Sequence, residues 1–172
     1  PGQALDGVRL LMLANHVQVR IAVDGAEVPF GESRCCAFSP VAVTPDELIW
    51  NGNSAWANGR LNLNLHCKLN GRNIGHGNLG GGMVTPFGEL LARLCRDRQF
   101  CAGSILSSGE VNFADAANGF CSIAARRAQE AAQSGSAKTP WLAAGDTLQL
   151  EVLGPDGQSV FGAIAQLLTP SS

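Results

Sequence analysis

Three histidines and six cysteines are the residues of this chain whose types best suit metal binding or nucleophilic chemistry. His16 falls in the alternating run His16, Gln18, Arg20, which shares one face of an extended chain. An imidazole is a poor ligand for Mg²⁺ or Ca²⁺ and a good one for zinc, but a lone histidine is not a metal site. His66 alternates with apolar residues and reads as an exposed strand residue, and His76 reads as a loop residue among glycines. Cys35 and Cys36 are adjacent, so an extended chain sends them to opposite sides, and no C-x-x-C spacing occurs. Zinc-finger spacing is therefore absent, and the cysteines are expected as reduced thiols packed as small hydrophobes in a cytoplasmic setting. Ser104, Ser107 and Ser108 have no assignable base, and neither a Gly-x-Ser-x-Gly elbow nor a phosphate-binding glycine–lysine loop is present.

The elements that must position these groups are mostly strands. Val8 to Val23 reads as one long strand, with Val17, Val19 and Ile21 on its apolar face, ended by the turn Asp24-Gly25. Arg60 to Asn70 is the clearest strand: Leu61, Leu63, Leu65, Cys67 and Leu69 share a face, and Asn70-Gly71 is a strong hairpin signal. Five glycines between Gly75 and Gly82 predict a flexible loop. A helix is expected next, with Thr85 as N-cap, Pro86 at its first position and Phe87, Leu90, Leu91, Leu94 and Cys95 on one face. Ala102 to Ser107 suggests a short strand, and the alanine-rich Ile123 to Gln133, closed by Ser134-Gly135, a second helix. Thr147 to Leu153 and Gln158 to Leu168 flank Gly154-Pro155-Asp156-Gly157 as a closing hairpin. Strands dominate without a βαβ rhythm, so the fold class is α+β, mainly β, as one domain over residues 1–172.

Bulk properties remove several function classes. With 45% hydrophobic and 15% charged residues the composition is globular. A net charge of -2 without a basic run argues against nucleic acid. The longest apolar run, Leu10 to Ala14, is too short to span a bilayer. The chain begins at Pro1 without an initiator Met, as expected of a processed product or a fragment.

Several segments, in order, resemble the C-terminal part of bacterial fumarylacetoacetate hydrolases. The most specific is AFSPVAVTPDEL, Ala37 to Leu48; Gln3 to Leu13, Ala102 to Gly109, Gly119 to Arg127 and the stretch from Lys138 to Ile164 follow the same family pattern. The resemblance implies a mixed β-roll or sandwich with two short helices, usually dimeric, that hydrolyses carbon–carbon bonds in 2,4-diketo or acylpyruvate-type acids. It also implies a Mg²⁺ or Ca²⁺ ion, held by carboxylates, that stabilises the enolate leaving group.

Carried over position by position, the resemblance sets His16 where the family has its last metal-binding aspartate, with Arg20 matching a family arginine. Arg34, across a one-residue gap before AFSP, stands nearest the family lysine that polarises the substrate, with its fork-shaped charge in place of an ammonium. Glu110 follows Gly109, where the family places a substrate-touching threonine. The paired glutamate ligands and the histidine base of the family precede the segment at which this chain begins. Three readings follow: a family hydrolase of a small diketo acid with a degenerate or incomplete site; a non-catalytic binding or dimerisation module; or a decarboxylase, isomerase or lyase in which His16 and Glu110 take new roles.

Overall fold

The computed structural model describes residues 2–111, 113 and 118–169, apart from the side chains of residues 2, 22, 26, 27 and 29–35. A short helix α1 (Gly2–Leu5) leads to two long strands, β1 (Ala14–Val23) and β2 (Ala26–Phe38), which pair with each other as a two-stranded antiparallel ribbon. Two small two-stranded units follow, β3 (Ile49–Trp50) with β4 (Asn53–Ser54) and β5 (Trp56–Ala57) with β6 (Arg60–Leu61). The main sheet is antiparallel, in the order β10 (Ile164–Leu167), β9 (Thr147–Leu153), β7 (Asn64–Leu69), β8 (Arg72–Asn78). Helices α2 (Leu79–Gly82), α3 (Phe87–Leu94) and α4 (Ile123–Ser134), with a 3-10 turn at Pro45–Leu48, complete the described elements. The α+β, strand-dominated class expected from the sequence is observed.

The core lies on one face of the main sheet. Leu65 and Cys67 of β7 and Leu148, Leu150 and Val152 of β9 alternate inward, joined by Leu48, Phe161 and Ile164, each at most 9% exposed. Asn70, at φ 51°, and Gly71, at φ 74°, make the tight turn from β7 to β8. The Asn70 side chain also clasps the start of β9: its Oδ1 accepts from Thr147 N at 2.8 Å and its Nδ2 donates to Asp146 Oδ1 at 2.8 Å. The turn and the parity of β7 and β9 together fix the register of the sheet.

Several local expectations are corrected. The strand read from Val8 begins only at Ala14; before it, Leu11 bonds reciprocally to Val43 (2.8 and 2.9 Å), and Leu11 and Leu13 plug the core. Arg60 to Asn70 divides into β6 and β7 around Asn62 and Leu63, because Asn62 N is drawn to Ala55 O. The glycine-rich stretch is ordered as the end of β8 and as α2: a Cβ on Gly75 would lie 2.5 Å from the Phe120 carbonyl, and one on Gly77 2.5 Å from the Phe113 ring. Its glycines serve close approach, and His76 is a strand residue. Pro86 is the N-cap of α3, which starts at Phe87, so Thr85 precedes the cap. Residues 102–107 form a turn and then coil instead of a strand, and the second strand of the last hairpin is confined to Ile164–Leu167. Cys67 and Cys121 form a disulfide, with Cα atoms 5.6 Å apart, overturning the expectation that they are free thiols. The Gly75–Gly119 bridge sets Cys121 beside Cys67, a proximity across 54 residues.

The apolar side of the β1–β2 ribbon stays outside the core. Val19, Ile21, Val23 and Val28 are each between 36% and 49% exposed. Among the described residues, no helix is long and apolar enough to cross a membrane.

Candidate functional site

The residues singled out in the sequence lie mainly on the β1–β2 ribbon. Register pairs Asn15 with Ala37, His16 with Cys36 and Gln18 with Arg34, and a bulge between Gln18 and Arg20 then sets Arg20 opposite Pro29. Neighbours along a strand point to opposite faces. Asn15 accordingly turns to the main body, where its Nδ2 donates to Gln166 Oε1 of β10 at 2.6 Å, and Ala37 packs against the core. His16 and Cys36 occupy the other face, both exposed. There the Cys36 Sγ lies 2.8 Å from His16 Nδ1 and 3.7 Å from Nε2.

Arg20 is turned toward the segment after α4. Its guanidinium carbon sits 5.1 Å from the centre of the Trp141 ring, and that of Arg127, from α4, 4.2 Å from the same ring. A cation over an indole is attracted by the negative face of the ring. This segment is held by Glu130, whose carboxylate accepts from Thr139 Oγ1 at 2.5 Å and from the backbone N–H groups of Thr139 and Lys138 at 2.7 Å each. Arg126 adds a bond to Glu130 Oε1 at 3.2 Å, and Arg127 donates to the Thr139 carbonyl. These bonds, those of Thr139 first, draw the Glu130 pKa from 4.5 down to about 2. The Asn70 side chain, and then the Ala143 N–H, likewise favour the ionised form of Asp146 and lower its pKa.

His16 and Arg20 thus have defined surroundings. Arg34 is placed by backbone register alone, its side chain lying outside the described residues. Glu110 is exposed in the coil that follows Gly109. Trp141 is a site neighbour that the sequence did not single out, and Cys36, noted there as a thiol, was not paired with His16. Alternation implied that one of Cys35 and Cys36 faces away from the other, but only the register decides which of them meets His16.

A hard divalent cation needs several oxygen ligands. At the position matched to the family's aspartate, the donors are an imidazole nitrogen and a thiol sulfur, a soft pair suited to other ions. Among the described residues no group of three or more His, Cys, Asp or Glu side chains is arranged to hold a metal ion. His16, Cys36 and Glu110 therefore make no ligand set, and the donors here do not fit Mg²⁺ or Ca²⁺. Residues 1–168 match a family model described as fumarylacetoacetate (FAA) hydrolase C-terminal. No curated protein matches the chain.

Proposed function

The chain belongs to the fumarylacetoacetate hydrolase family, and from that premise we propose that it keeps the family scaffold with an altered site that does not run the metal-enolate reaction. The hydrogen bond between Cys36 and His16 carries this reading. It occupies, with nitrogen and sulfur, the position at which the family reaction calls for a carboxylate on a hard cation. Arg20 supports it as well, since its guanidinium lies against Trp141. A small carboxylic or diketo acid is the ligand class that the family suggests, held by this chain without carbon–carbon cleavage.

What the chain retains on this reading is assembly, as a homodimer. The exposed apolar side of the β1–β2 ribbon, Val19, Ile21, Val23 and Val28, supports a second copy as its cover. The deciding experiment is an acylpyruvate hydrolysis assay with added Mg²⁺ or Ca²⁺, run beside light scattering. We expect a dimer mass and no cation-dependent turnover. Turnover that rises with Mg²⁺ and is abolished by chelation would sink the altered-site reading, and a monomer would sink the assembly.

A further inference from the structure

We propose that Cys36 and His16 form a thiol–imidazole pair that makes Cys36 a reactive nucleophile toward soft carbon electrophiles, of the class of alkyl halides and conjugated carbonyl compounds. The inference rests on geometry alone and does not depend on the family reaction. A nucleophile and a base within hydrogen-bond reach are what an activated cysteine requires. Here Cys36 Sγ is 2.8 Å from His16 Nδ1, and both side chains are open to a reagent. With the ring hydrogen on Nε2, Nδ1 is an acceptor and the thiol S–H donates to it. The two residues are direct cross-strand partners in β1 and β2, so the ladder holds them together without help from a mobile loop. Asn15 fixes the ribbon to β10 one residue away, through its 2.6 Å bond to Gln166.

In the reaction the S–H proton passes to His16 Nδ1 as sulfur bonds to the electrophilic carbon. With iodoacetamide the C–I bond breaks and iodide leaves with the electron pair. With a conjugated carbonyl the electron pair moves onto the oxygen, and the carbon next to the carbonyl then takes the proton back from the imidazolium. Both sequences close without an oxidant or a metal.

The molecule contains its own reference, because Cys95 and Cys101 are also free and exposed but, among the described residues, bond to no histidine. The folded chain is treated with a limiting amount of iodoacetamide at neutral pH in the presence of EDTA, and each site is followed by peptide fragmentation, which separates Cys36 from Cys35. We expect Cys36 to be labelled at least about tenfold faster than Cys95 or Cys101, a gain below the usual range of general-base assistance because the pair is exposed. His16→Gln should remove that advantage while leaving the other two rates unchanged, and Cys36→Ser should abolish the fast phase. Equal rates at the three sites in the unmodified chain, a fast phase that maps to Cys35, or a His16→Gln variant that is folded yet labels as fast would each overturn the proposal.

Discussion

Glu130 shows how much one carboxylate can organise. It ties the last turns of α4 to Lys138 and Thr139, and so sets the approach of Trp141 to Arg20 and Arg127. Its folded pKa lies below the ordinary value, so its contribution to stability is present above about pH 4.5 and is lost as pH falls toward about 2. Urea midpoints of the wild type should therefore fall across that window more steeply than those of Glu130→Gln. Parallel curves would refute this assignment. At this same scale the sequence was only partly legible. His16 and Arg20 could be placed on one face from alternation, but the partner of His16 depends on a bulge between Gln18 and Arg20 that no local pattern announces. Trp141 was invisible for a related reason: its neighbours Arg20 and Arg127 come from distant parts of the chain.

Among the elements, β8 best separates what spacing reveals from what packing decides. The turn at Asn70-Gly71 and the alternation of β7 were readable because both are local, as were α4 with its Gly135 cap and strand β9. Gly75 and Gly77 misled because glycine has low intrinsic strand preference; they stand in β8 to let Phe120 and Phe113 come close. Gly75→Ala should accordingly destabilise the chain by about 2 kcal/mol, as overpacking does. Gly81→Ala, whose new Cβ would come no nearer than 3.8 Å to Asn78 Oδ1, should stay within about 0.5 kcal/mol of wild type. Equal urea midpoints for the two variants would show that β8 has room after all. The segment AFSPVAVTPDEL, which carries the family resemblance, also acts at this scale. Val43 bridges to Leu11, Glu47 accepts from Thr44 N at 2.7 Å, and Leu48 is fully buried. Its identifying residues build the scaffold, which is why they speak more clearly of fold than of reaction.

For the whole molecule, the covalent link between β7 and the entrance to α4 matters most. In the chain-entropy picture a closed loop of this length restricts the unfolded state by about 4 kcal/mol. Full reduction should lower Tm by several degrees, and alkylation of the folded, unreduced chain should spare Cys67 and Cys121; labelling of both without reductant would contradict the bond. Cys67 is 2% exposed, so attack by an outside thiolate is hindered at that sulfur while the fold persists. The bond also gives the chain a closed circuit, running from residue 67 through β8, α2 and α3 to residue 121 and back through sulfur. A protease that cuts once inside this circuit opens a ring without dividing the molecule. The two halves stay attached until a reductant arrives, so a nicked chain keeps the full mass on a non-reducing gel and separates into two pieces on a reducing one.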